Sequence, residues 1–214
     1  MGLENHSGFF RIPSSFRRSP AIGRRAAFLY RRYRWEKGHD IMANNLIDLI
    51  KTRRSVRSYT AEPVPEELLD QVLEAGTFAP TGGGHQSPVI VAVANPETRE
   101  RLRRLNAAVM GKDTDPYYGA PVIVVVLADG ERGTFVEDGS CVLENLMLAA
   151  HALGLSSCWI HREREVFDSA EGKALLREWG LPEALRGVGA IALGYAAGPE
   201  GSAAPRKDGY VMRI

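Results

Sequence analysis

Four clusters of side chains in this chain have the composition to do chemistry. The densest is Thr52-Arg53-Arg54-Ser55-Val56-Arg57-Ser58-Tyr59. Its guanidiniums and intervening hydroxyl can neutralise and hydrogen-bond a phosphate, because the planar guanidinium fork matches the oxygen spacing of that anion. In an extended chain alternate side chains share a side, which would present Arg53, Ser55 and Arg57 together. The same run also reads as a solvated basic turn at a helix end. The second cluster, Pro80-Thr81-Gly82-Gly83-Gly84-His85-Gln86-Ser87-Pro88, lets backbone approach a flat ligand closely, with Thr81 and Gln86 available to its edge. It lacks both the GxxxxGK[ST] and the GxGxxG patterns, so a nucleotide phosphate loop is not written there, and a flexible linker is the competing reading. The third, Ser157-Cys158-Trp159-Ile160-His161-Arg162, falls at the carboxyl end of an expected strand, where open sheets often bind ligands. His161 could donate to a cofactor and Cys158 could act as a nucleophile, against the plainer readings of a satisfied polar residue and a packed thiol. The fourth is Pro205-Arg206-Lys207, a short basic site in a Gly- and Pro-rich tail.

No Ser–His–Asp order, catalytic carboxylate pair or metal-ligand cluster accompanies them, and Asp113, Asp115, Glu137 and Asp138 read as loop and cap acids. Composition bounds the possibilities further. The chain has 214 residues, 25% charged and 44% hydrophobic, which excludes disordered and fibrous classes. Its longest apolar runs, Val122–Ala128 and Val89–Ala94, fall far short of the roughly 20 residues that span a membrane. Cys141 and Cys158 form neither a disulfide framework nor a zinc signature, so a reducing compartment, the cytoplasm, is expected.

The near-neutral total hides an asymmetry. Residues 1–41 carry nine Lys or Arg against three acids, a local charge of +6, while residues 42–214 carry 18 against 23, or −5. The two segments are therefore treated separately. Within the leader, Ala21–Trp35 can form a basic helix of the kind found on membrane surfaces or nucleic acids. A non-structural extension before a natural start at Met42, a dimer-wrapping or surface-docking helix, and an organellar transit segment all fit its composition.

The elements that must position the four clusters follow from periodicity. A short helix capped by Asn45 uses Leu46, Leu49 and Ile50; another opens at Pro65 on Leu68, Leu69, Val72 and Leu73 and is stopped by Gly76. Val89–Ala94 reads as a buried strand, followed by a helix capped at Asn95-Pro96 on Leu102, Leu105 and Val109. Val122–Ala128 is apolar on both faces and belongs at the centre of a covered sheet. A wide stripe from Val142 to Leu153 ends at Gly154, a strand covers Ser156–Ile160, Asp168 caps a helix running to Gly180, and Val188–Leu193 is the last strand. This alternation alone suggests an α/β protein with parallel strands.

Taken together and in order, these motifs resemble the FMN-dependent nitroreductase family. The residues carrying the resemblance are Arg53-Arg54-Ser55-Val56-Arg57, Glu74-Ala75-Gly76-Thr77-Phe78-Ala79-Pro80-Thr81, Ala120–Val126, Asn145–Ser156 and Pro205-Arg206, which span Met42–Ile214. The resemblance implies an α+β fold, with a central, mostly antiparallel sheet flanked by helices, in an intertwined homodimer with FMN in each interface cleft. It replaces the parallel reading. It divides the chain into a basic extension, 1–41, and an FMN-binding domain, 42–214. By resemblance, Arg53, Arg54, Ser55 and Arg57 hold the FMN phosphate and ribityl chain with Arg206 and Lys207. Pro80, Thr81 and Gly82 border the ring from the second subunit, with Gln86 near it, and Ile160 and His161 lie against the ring. The pattern departs at Gly84, where many relatives carry Asn, and at Gln86-Ser87-Pro88-Val89, which lacks the usual aromatic.

The activity implied is hydride transfer from NADH or NADPH through FMN to a small flat electrophile, nitroaromatic or quinone, by a ping-pong route that needs no catalytic triad. Same-fold chemistry on enones or halogenated substrates, a ferredoxin-fed enzyme, and a flavin-binding sensor with little turnover are the alternatives. No nucleic-acid partner is expected.

Overall fold

The computed structural model describes residues 41–214. The basic helix expected over Ala21–Trp35 lies outside these residues. In chain order the elements are α1 (Ile41–Thr52), α2 (Glu66–Thr77), β1 (Val89–Val93), α3 (Pro96–Met110), β2 (Val122–Asp129), α4 (Phe135–Ala152), β3 (Ser156–Ile160), α5 (Glu163–Asp168), α6 (Ala170–Glu178) and β4 (Leu185–Gly194).

The sheet has the order β1-β2-β4-β3, and every neighbouring pair is antiparallel. β2 is buried over Val122–Ala128 because the sheet is covered on both sides. Ile123, Val125 and Leu127 pack on one face with Leu102, Phe167, Leu175 and Leu176; Val122, Val124 and Val126 pack on the other with Val72, Leu143 and Leu146. The fold is α+β, and the parallel arrangement suggested by alternation alone is not formed. The connections explain why. After α3 an irregular stretch returns the chain to the end of the sheet where β1 stopped, so that Val93 pairs with Ile123. Two short helices, α5 and α6, do the same between β3 and β4. Only α4 makes a crossover: β2 and β3 run the same way because both are antiparallel to β4, which lies between them.

Several local expectations change with packing. β1 is an edge strand and mostly half-buried rather than a buried one. Asn45 lies inside α1, which starts at Ile41. Gly76 does not stop α2; it sits buried within the helix, where a Cβ would lie 2.7 Å from Leu146 and 2.9 Å from Ile90. The cap of α6 is Ser169, whose hydroxyl accepts from Gly172 N at 3.0 Å, while Asp168 ends the unanticipated α5 and pairs with Arg186. The Asn95 cap forms as expected, accepting from Thr98 N at 3.0 Å, and Gly154 takes the left-handed φ of 77° that closes α4. Among the described residues no helix is long and apolar enough to cross a membrane.

α4 lies against β4 closely enough that a Cβ on Gly139 would come within 2.6–2.8 Å of all three branch atoms of Val188. Gly139→Ala should therefore destabilise the fold. Overpacking of about 1–3 kcal/mol exceeds the helix-propensity gain of about 0.8–1 kcal/mol. The check is a lower urea midpoint with an unchanged m-value.

Candidate functional site

The Arg53–Thr60 segment is extended and lies at the β3 edge of the sheet. Ser55 bridges Ser157 in the parallel sense, Val56 N donates to Ser157 O at 3.0 Å, and Thr60 N donates to Tyr195 O at 2.9 Å. Val56 turns into the core while Ser55 and Arg57 face outward, which is the expected alternation. Tyr59 pins the segment, its hydroxyl reaching the carbonyls of Val56 at 2.7 Å and Ala192 at 3.1 Å. α1 is held just before it by Thr52, whose hydroxyl lies 3.0 Å from His151 Nε2.

Cys158, on the neighbouring strand β3, feels the charge of Arg53 and Arg57 and the hydroxyl of Ser55. Burial pushes that thiol up against the opposing pull of Arg57, Ser55 and Arg53, so Cys158 stays protonated and packed and does not act as a thiolate. Arg54 differs from its neighbours: its Nη1 donates to the carbonyls of Lys51 (2.8 Å) and Arg53 (2.6 Å), closing the end of α1. Both Arg53 Nη1 and Arg54 Nε are buried without a hydrogen-bond partner among the described residues.

The Pro80–Pro88 loop lies between α2 and β1. A tight turn covers Gly82–Gly84, with Gly84 N donating to Thr81 O at 2.9 Å; Gly83 and Gly84 have φ of 62° and 69°. Gln86 adopts φ 51°, uncommon for a side-chain-bearing residue, and its N–H donates to Thr81 Oγ1 at 3.0 Å. Asp138, on the first turn of α4, anchors the loop: it is buried, accepts from Gly82 N at 2.8 Å and from Thr134 Oγ1 at 3.2 Å. The loop forms one wall of a groove of about 400 Å³, with Leu73, Thr77 and Ile90 opposite. Sequence reasoning missed Asp138, which looks like any acid in a first helical turn. Its partner is 56 residues away, and nothing local announces that contact.

At the end of β3, Ile160 is buried and His161 exposed. Arg162 follows at φ 79° and turns its side chain inward, Nε donating to Asn106 Oδ1 at 2.9 Å. Asn106 Nδ2 in turn donates to His161 O and to Glu163 Oε1, both at 2.9 Å, and Tyr117 OH donates to the same Glu163 oxygen at 2.7 Å. Asn106, Tyr117 and Glu163 are all buried, and burial pushes the Glu163 carboxyl up to about 7. None of the three was a sequence candidate, because their partners lie 46–57 residues away.

The strand register decides which of these pieces one chain brings together. Arg53–Arg57 and Ile160–His161 share the β3 edge, and from Ser157 to His161 four extended residues cover about 13 Å. The Pro80–Gln86 loop enters β1, at the opposite edge and three strand spacings away, about 14 Å. Arg206 belongs to an exposed tail, where Nη2 donates to Ala204 O at 2.6 Å, and no contact joins it to Arg53–Arg57 among the described residues. One chain thus places the two candidate clusters at opposite edges of the sheet. No cluster of His, Cys, Asp or Glu that could hold a metal occurs among the described residues.

Comparison with known proteins places this arrangement. The family model described as "Nitroreductase family" matches residues 50–116 and 111–195. A protein of Methanothermobacter thermautotrophicus that carries the provisional name NADH dehydrogenase/NAD(P)H nitroreductase is 34% identical, over 72% of this chain and 78% of its own length. One of Archaeoglobus fulgidus with the same name is 31% identical, over 70% and 84%. Among solved structures, the nitroreductase from Bacteroides fragilis with bound FMN superposes with a TM-score of 0.74 at 33% identity, covering 80% of this chain and all of that one. The fold, the motif order and these matches agree: this chain belongs to the nitroreductase family.

Proposed function

We propose that the protein is an FMN-dependent oxidoreductase that takes hydride from NADH or NADPH and delivers it to small flat electrophiles, nitroaromatics or quinones. The observation that carries this reading is Arg53 Nη1, a guanidinium nitrogen buried without a partner beside the outward-facing Ser55 and Arg57. A charged donor withdrawn from water and left unpaired is costly, and an anion at the β3 edge relieves that cost. FMN fits the residues present. Arg53, Ser55 and Arg57 offer charge-assisted hydrogen bonds to its phosphate, supported by Arg54 and, from the tail, by Arg206 and Lys207. About 13 Å further along the edge, the backbone of Ile160 and His161 offers a flat wall for the ring.

The other wall comes from a second copy of the chain. The Pro80, Thr81, Gly82 and Gln86 loop is too far across the sheet to close on the β3 edge of its own subunit. Unburied apolar groups give a surface for such a homodimer: Leu46, Ile47 and Ile50 on α1 are half-exposed, and Tyr210, Val211, Met212 and Ile214 in the tail are almost fully so. Residues 42–214 form the flavin-binding unit and contain every residue assigned to the site.

Bound FMN supplies two-electron transfer between the nicotinamide and the acceptor, each using the same pocket in turn, which gives ping-pong kinetics. The chain's part is to bind, orient and tune. The Asp138 carboxylate holds the Gly82 backbone, Tyr59 holds the arginine segment, and the guanidiniums favour negative charge on the ligand.

Full-length protein should bind FMN one to one per subunit and, when loaded, oxidise NADH or NADPH on addition of menadione or nitrofurazone. Protein that takes up no FMN contradicts the whole reading. Arg57→Ala should weaken FMN binding by about 1.5–3 kcal/mol, the range for hydrogen bonds to charged groups. Fluorescence titration checks this, and an unchanged Kd removes Arg57 from the site.

A further inference from the structure

The cluster that ends β3 does more than fill the core. Glu163 is fully buried; its Oε1 accepts from both Asn106 Nδ2 and Tyr117 OH, while Oε2 is buried with no partner among the described residues. Asn106 is the hinge of the arrangement: the same amide nitrogen also holds the His161 carbonyl, and its oxygen holds Arg162. One carboxyl therefore sits behind the two residues whose backbone turns at the strand end, one of them at a positive φ that only surrounding contacts can maintain.

We propose that Glu163 is a positioning residue for the flavin site: through Asn106 and Tyr117 it fixes the His161–Arg162 turn, and loss of its proton loosens the grip of the strand end on an anionic flavin. The inference rests on the flavin reading given above. The groups facing Glu163 are few. Tyr117 comes from the loop before β2, Arg162 from the strand end and Glu165 from its own helix; α3 contributes the neutral Asn106 and β4 only the backbone side of Gly187. Burial raises the carboxyl to about 7, Glu165 adds to the rise, and Tyr117, Asn106 and Arg162 oppose it.

The sign follows from charge. Below this range Glu163 is neutral, and an orphan hydroxyl at Oε2 costs less than an orphan charge. Above it, a buried oxygen anion needs a donor, and the cation that acts on Glu163 is the Arg162 guanidinium now held by Asn106. Drawing Arg162 away from Asn106 disturbs the turn, and the new negative charge lies behind a wall that must hold an anion. By linkage, FMN and the carboxylate proton favour one another, so affinity falls as pH rises through about 7.

The test is the FMN dissociation constant of the full chain from about pH 5.5 to 8.5, bracketing the raised carboxyl, for the native protein, Glu163→Gln and Tyr117→Phe. The ratio of native to Glu163→Gln cancels titration of the ligand's own phosphate. It should be near unity at low pH and reach at least about fivefold at high pH, the lower end of ordinary coupling. Tyr117→Phe removes a hydrogen bond that lowers the carboxyl, so its own transition should move to higher pH; this variant carries the test if Glu163→Gln does not fold. A flat ratio, or a transition that Tyr117→Phe leaves in place, overturns the role of Glu163 while the flavin site stands. Native protein that binds no FMN at any pH overturns both.

Discussion

β2 has almost no surface to give to water. Seven consecutive residues, Val122–Ala128, are buried because helices cover both sides of the sheet, and the antiparallel register with β1 and β4 holds them there. That double burial constrains everything else. The faces of the sheet are occupied by core, so a ligand as large as a flavin has only the edges and strand ends to use. The chain places its polar machinery accordingly: arginines beside β3, a glycine-rich loop leading into β1. Two strands, β2 and β4, separate these edges. The proposed dimer would join these edges across two chains, and the exposed apolar groups of α1 and the tail offer it a surface.

Electrostatics refine that picture at each edge. On the β3 side a guanidinium nitrogen is buried with no partner among the described residues, in a segment that Tyr59 and the Ser157 pairing organise. At the β1 side the opposite device appears, a buried Asp138 spent on two hydrogen bonds that shape a loop. Pre-arranged donors need no reorganisation when charge arrives, which is how a protein without a catalytic triad can still tune a cofactor. Glu163 stands apart as a carboxyl kept close to neutral by burial, adjoining the same strand end.

Much of this was legible in the sequence where the signal is local. The apolar run of β2, the stripe of α4 closed by Gly154, and the Asn95-Pro96 cap all formed as read. Of the three residues expected on one side of the extended segment, Ser55 and Arg57 face outward and Arg53 is half-buried. Strand direction was not legible from alternation, because the return stretch after α3 and the pair of short helices α5 and α6 have no periodic signature. Only the family resemblance supplied the antiparallel sheet. Asp138 was read only as a loop or cap acid, and Asn106, Tyr117 and Glu163 were not singled out, for a single reason. Each owes its burial to partners about 46–57 residues away, and a polar residue that is buried by distant contacts looks locally like one that is solvated.

The central claim is that each flavin site is assembled from two chains, and one mixing experiment tests it directly. Arg57→Ala spoils the β3-edge half, and Gly82→Val spoils the loop half, because any Cβ at Gly82 would meet Thr134 Oγ1 at 2.5 Å. Each variant alone should bind FMN poorly. Unfolded together and refolded as mixed dimers, they should regain one tight FMN per mixed dimer, since one of its two sites then draws both halves from undamaged segments. Mixed protein that recovers no tight binding, while both variants still fold, would contradict the account and place the whole site within one chain.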